Sequence, residues 1–165
     1  MTAITPASGE HICSRCARQG TTCCQGSQVF LTLGDVDRIT ALGAGQFTTY
    51  AAPNQDYYIP DCDPWWGRIF HPDGTRRIIV KQEDSNFCLF LGETGCRLGI
   101  ESRPLVCRLY PFEYDHNCIK GVTAHLCPSP ERDNPPLILA LLNMNRDQAE
   151  NWRSQLYREI QAEFS

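Results

Sequence analysis

Methionine and histidine are scarce in this 165-residue chain, which has two of the first and four of the second. Long apolar runs are missing as well. The longest, Leu137 to Leu142, falls far short of the roughly 20 residues that cross a bilayer, so no membrane partner is expected. No block of basic residues occurs, and 15 Lys+Arg against 19 Asp+Glu give a formal net charge of −4, which argues against nucleic acid as the main partner. Residues 1–10 have neither a basic region nor an apolar core, so no signal peptide is expected there. Asn-x-Ser/Thr acceptors are absent too. The motifs G-x-S-x-G, H-E-x-x-H and the P-loop do not occur, and Gly43-Ala44-Gly45 follows a helical pattern where a dinucleotide loop would follow a strand.

What the chain does have is ten cysteines. Without export the expected compartment is the cytoplasm, where thiols stay reduced and clusters of them serve as metal ligands or catalytic groups. Cys23 and Cys24 are adjacent, with Cα atoms about 3.8 Å apart. A disulfide usually needs about 4.4–6.8 Å, so these two are poor partners for each other. The cysteines fall into groups: Cys13, Cys16, Cys23 and Cys24 first, then Cys88, Cys96, Cys107, Cys118 and Cys127, with Cys62 alone between them. A C-x2-C pair such as Cys13 to Cys16 wraps two thiolates around one metal, and the vicinal pair after it can complete a tetrahedral site or bridge to a second one. A thioredoxin-like role for the pair would need a surrounding βαβ pattern, which is missing. His11 and His125 each stand two residues before a cysteine and read as ordinary loop histidines.

The remaining patterns predict an α+β fold: a small metal-stabilised domain with short antiparallel strands, long loops and C-terminal helices. Val29-Phe30-Leu31 reads as a strand leading into a helix capped by Thr32, with Asp35 three residues on, a Leu31–Val36 staple and Gly43 beyond its end. Residues 44–75 read as inserted loops, with Asp61 and Asp63 flanking Cys62 beside Trp65-Trp66 as a polar loop anchored by aromatics. Arg77 to Lys81 is a strand by its β-branched content. Cys88 to Leu98 reads as a hairpin turning at Gly92-Glu93-Thr94-Gly95, with Leu91 opposite Cys96. Strand alternation then puts Cys88 and Cys96 on opposite faces, so a shared metal site requires a bulge or loose strand ends. Ser102 is the expected cap of a helical turn carrying Leu105, Val106 and Cys107, which Pro111 stops. The tail predicts a helix from Pro136 carrying Ile138, Leu141 and Leu142. A second helix opens at Asn145 and Gln148, with Ala149, Trp152, Leu156 and Ile160 on one face.

The cysteine spacing resembles the YkgJ-type cysteine-cluster family of zinc- or iron-chelating domains. The resemblance runs through Cys13, Cys16, Cys23 and Cys24, then Cys88-Leu89-Phe90-Leu91 and Gly95-Cys96-Arg97-Leu98. It continues in Arg103-Pro104-Leu105-Val106-Cys107-Arg108 with Tyr110-Pro111, and closes at Cys127-Pro128. The family is similar in turn to the cysteine region of flagellin lysine methylase, which implies little about activity here. The resemblance implies eight metal ligands, Cys13, Cys16, Cys23, Cys24, Cys88, Cys96, Cys107 and Cys127, and leaves Cys62 and Cys118 as spares. Residues 1–130 are expected to form the cysteine-cluster metal-binding domain, with residues 131–165 as a helical extension packed on the same domain. Eight thiolates would deepen the negative charge, and Arg97, Arg103 and Arg108 lie in sequence where they could soften it. An all-thiolate set suits zinc and iron–sulfur alike. The absence of an obvious histidine ligand makes an iron–sulfur cluster or iron the preferred cofactor and Zn²⁺ the alternative. The expected role is structural, electron-transfer or metal-handling, with metal ions as partners. The competing reading is an enzyme whose metal cluster keeps an open position for redox or group-transfer chemistry.

Overall fold

The computed structural model describes residues 16, 28–54, 63–123, 127 and 129–165. They pack around two apolar clusters. The first contains Phe30, Ile69, Leu105, Leu109, Phe112 and Ile119 together with Ala149, Trp152, Leu156 and Ile160. The second contains Val29, Leu31, Ile39, Phe47, Ile79, Cys88 and Leu98. Val106 packs against both.

Helix α1 spans Leu33–Thr40. Its start is as the local sequence predicts: the Thr32 hydroxyl accepts from Asp35 N–H, while the Asp35 carboxylate accepts from Thr32 N–H. Leu31 and Val36 meet in the second cluster, and Gly43 adopts φ +80°, the left-handed conformation that glycine takes without penalty.

The described parts of residues 44–75 differ from the expected loops. Thr48–Ala51 forms strand β1, antiparallel to β2 at Arg76–Ile79, with Thr48 opposite Ile79 and Ala51 opposite Arg76. β1 escapes sequence reading because its residues run half-buried at the ends and exposed between them, without apolar alternation. A one-turn helix, α2, follows at Trp65–Arg68. On the other side of β2, Phe30 bridges Ile78, Leu31 N–H reaches Arg77 O at 3.2 Å, and Ile79 N–H reaches Val29 O at 3.1 Å. β2 is therefore covered along both edges and buried at every position. Its two arginines are paired for that reason: Arg77 with Glu163 at 2.7 Å, and Arg76 with Gln28 Oε1 at 3.2 Å.

The next hairpin pairs β3, Leu91–Gly92, with β4, Gly95–Cys96, in the expected register of Leu91 opposite Cys96. Gly95 has φ +107° at the turn. Helix α3 spans Leu105–Leu109, followed by a hairpin of β5, Phe112–Tyr114, and β6, Ile119–Val122, with an irregular register at Glu113/Tyr114.

A 3₁₀ turn, Pro130–Asp133, leads into α4, Pro135–Leu141, capped by Asn134, and then α5, Arg146–Phe164. The Asn145 side chain accepts from Gln148 N–H at 2.8 Å, opening α5 where the sequence places it. The stripe Ala149, Trp152, Leu156, Ile160 is buried as expected, and Tyr157 joins it. No described helix is long and apolar enough to cross a membrane.

Candidate metal centre

Among the expected ligands, Cys16 and Cys88 are buried at 7% and 8% exposure, Cys96 and Cys127 are half-buried, and Cys107 is exposed. Cys13, Cys23 and Cys24 lie outside the described residues, as do Cys62, Asp61, His11 and His125. Among the described residues no three His, Cys, Asp or Glu side chains converge on one point.

The hairpin keeps the expected register but its ladder stops short of Cys88. Only two residue pairs separate β3 and β4, and Cys88 does not belong to the ladder. Leu89 and Phe90 form a turn instead, closed by Leu91 N–H to Cys88 O at 3.0 Å, and Cys88 bridges back to Lys81. Strand alternation therefore does not run from Cys96 to Cys88. Cys88 belongs to the second cluster and Cys96 packs against the same cluster. The opposite-face relation expected from strand alternation therefore does not apply to Cys88 and Cys96. Gln82 braces this turn, its Nε2 donating to Cys88 O at 3.1 Å and Leu91 O at 2.9 Å.

The three arginines of this segment tie backbone to backbone. Arg97 donates to Leu89 O at 2.7 Å and Arg103 to Leu98 O at 2.9 Å. Arg108 donates to Arg103 O at 2.8 Å and Glu101 O at 2.6 Å. Arg108 is buried, with its guanidinium 6.0 Å from the Trp152 ring centre. Burial lowers its pKa, and the nearby Arg38 charge adds to that. These bonds cross-brace the stretch from Leu89 to Arg108, which carries Cys96 and Cys107. Structurally these arginines brace the loop backbone.

Helix α3, which presents Cys107, is not capped as expected. Pro104 occupies the cap position and supplies no side-chain bond, and Ser102 donates its own N–H to Gly99 O at 2.9 Å. The cap comes from α1: Asp35 Oδ1 accepts from Leu105 N–H at 3.1 Å, across 70 residues of sequence. Asp35 is fully buried, and burial raises its pKa against the opposing pull of Arg38. No local pattern signals this bond, because the acceptor belongs to another helix.

A second buried polar group surrounds Asp63, which is 1% exposed. Its carboxylate accepts from the Tyr157 hydroxyl and from Trp65 N–H at 3.3 Å, and Tyr157 in turn accepts from Trp66 Nε1 at 3.1 Å. Burial, with the Asp63 carboxylate beside it, pushes the Tyr157 phenol far up. This is the polar loop anchored by aromatics expected from the sequence, here seen from its Asp63 side. Cys118 lies exposed beyond it, in the turn between β5 and β6, where its N–H reaches Asp115 Oδ1 at 3.1 Å.

Thiolates are soft donors that suit zinc and iron centres, and the described cysteines offer that chemistry. The model of the CxxCxxCC family, described as "putative zinc- or iron-chelating domain", matches residues 12–128. The chain belongs to the CxxCxxCC family. Comparison with curated proteins and with solved structures finds no match. The CxxCxxCC match contains all ten cysteines and stops before the 3₁₀ turn. Helix α5 lies outside it, yet supplies four residues of the first cluster.

Proposed function

We propose that this CxxCxxCC chain holds iron, as an iron–sulfur cluster or as iron alone, on the thiolates of Cys13, Cys16, Cys23, Cys24, Cys88, Cys96, Cys107 and Cys127. The observation that carries this reading is the family match over residues 12–128, which spans both cysteine groups. The burial of Cys16 and Cys88 supports it, since a ligand thiol kept from water is protected from exchange and oxidation. Cys96 supports it through its packing on the cluster that contains Cys88. Cys62 and Cys118 are left out because the family pattern that this chain resembles runs through the other eight cysteines.

The metal's role is structural, electron-transfer or metal-handling, in the reducing cytoplasm, with the metal ion as the partner of the chain. Residues 1–130 form the metal-binding unit and residues 131–165 pack on the same domain, a packing supported by the contacts of α5.

Anaerobic purification, an absorption spectrum and assays of iron, acid-labile sulfide and zinc per chain test this. The expected result is a coloured protein with iron and sulfide. A colourless protein with stoichiometric zinc overturns the choice of iron, and a chain without metal overturns the whole reading. Cys62→Ser and Cys118→Ser leave the metal content unchanged. Loss of metal in either would show that the set of eight is wrong.

A further inference from the structure

We infer that Asp35 is a positioning residue of the metal centre, fixing the helical turn that presents Cys107, and that Glu159 of α5 holds Asp35 in place through Arg38. This inference rests on the proposed ligation by Cys107 and adds how the fold fixes that ligand.

Cys107 is the third residue of a five-residue helix, too short to be stable by its own hydrogen bonds. Within it, Cys107 N–H and Arg108 N–H both turn to Pro104 O, at 2.9 and 3.1 Å. Leu105 N–H has no such partner inside the helix, and Asp35 Oδ1 takes it. The same oxygen accepts from Arg38 Nη2 at 2.6 Å, while Oδ2 accepts from Thr32 N–H at 3.1 Å. Asp35 is therefore held at the head of α1 and holds the head of α3. Arg38 is itself fixed by Glu159, with Nη1 to Oε2 and Nη2 to Oε1 both at 3.0 Å. Glu159 is further tied by the Thr32 hydroxyl at 2.6 Å and Gln155 Nε2 at 2.9 Å. Leu105 and Leu109, fully buried on either side of Cys107, pin the remaining face of the turn to the first cluster. Exposed Cys107 is thus carried by a turn whose start is held by Asp35 and whose buried face is held by Leu105 and Leu109. Partners bonded directly to a metal ligand commonly change metal affinity by about 10–100-fold when replaced, and an anchor one step further out is expected at the lower end of that range.

The full chain loaded with its metal is tested by the rate at which a chelator strips that metal. Asp35→Asn keeps the size of the side chain but replaces one acceptor oxygen by a donor NH₂. It cannot then accept from Leu105 N–H and Arg38 on one side and from Thr32 N–H on the other. It is expected to speed release about tenfold. In a Cys107→Ser background, where the positioned ligand is gone, the same substitution changes the rate less than about twofold. In a Cys118→Ser background it retains its full effect. Thermal melts by circular dichroism check that each variant is folded. If Asp35→Asn does not fold, Glu159→Gln carries the same comparison from the outer end of the chain of contacts. A general loss of stability would act equally in all backgrounds. An effect of the same size with and without Cys107, or no effect in the otherwise intact chain, overturns this inference alone. A parent protein that takes up no metal overturns the proposed function and this inference with it.

Discussion

Asp115 closes the turn between β5 and β6, where Oδ1 accepts from Asn117 N–H at 2.8 Å and Cys118 N–H at 3.1 Å. Lys120 Nζ stands 3.2 Å from Oδ2. The two backbone bonds first, and Lys120 after them, hold this carboxyl down at about 2, where an unfolded aspartate titrates near about 3.9. A depressed folded pKa contributes stability that is present above the unfolded value and lost as pH falls through the folded one. Asp115→Asn is therefore expected to lower the melting temperature at pH 7, with the gap to the parent narrowing between about pH 4 and 2. Melts across that window check it, and a constant gap would show that the charge plays no part. At this scale the sequence is legible where partners are close along the chain. Thr32 and Asp35 form their capping box as their three-residue spacing predicts. The second bond of the same Asp35, to Leu105, is not legible, because no local spacing connects residues 70 apart.

Between elements, the contact of α1 with α5 sets a test of opposing effects. Gly34 lies in α1, and a Cβ there would collide with Glu159 Oε1. Glycine inside a helix ordinarily costs about 1 kcal/mol relative to alanine. Here the clash would displace a carboxylate that accepts four hydrogen bonds, from Thr32, Arg38 twice and Gln155. Gly34→Ala is expected to destabilise the parent, whereas in a Glu159→Ala background it stabilises by about 1 kcal/mol. Urea unfolding of the four chains measures both signs, and stabilisation in both backgrounds would show that the collision is relieved at no cost. The stripe of α5 is legible because a helical period repeated over three turns has one reading. The strand β1 is not, since its residues make a strand only once β2 lies beside them. The cap of α3 is misread for a related reason: Ser102 sits at a plausible distance, but the helix begins at Leu105 and takes its acceptor from α1.

For the molecule as a whole, a bound structural metal supplies folding free energy, on the order of 10 kcal/mol per tight site. Stripping the metal is expected to lower the melting temperature by about 10 °C or more, read by calorimetry with and without chelator. An unchanged melt would make the centre a passenger on a fold held by its two apolar clusters. The cysteine spacing, the hairpin of β3 and β4 and the two tail helices are determined by the sequence itself, because each depends on residues near one another along the chain. The tertiary structure alone decides that Cys88 leaves its hairpin to sit with Cys96 on one cluster, and that the turn bearing Cys107 is anchored by Asp35. It alone decides that a helix outside the family match completes the core around that turn. Those outcomes depend on burial, which requires a buried carboxylate or guanidinium to find partners wherever the fold brings them, at any distance in sequence.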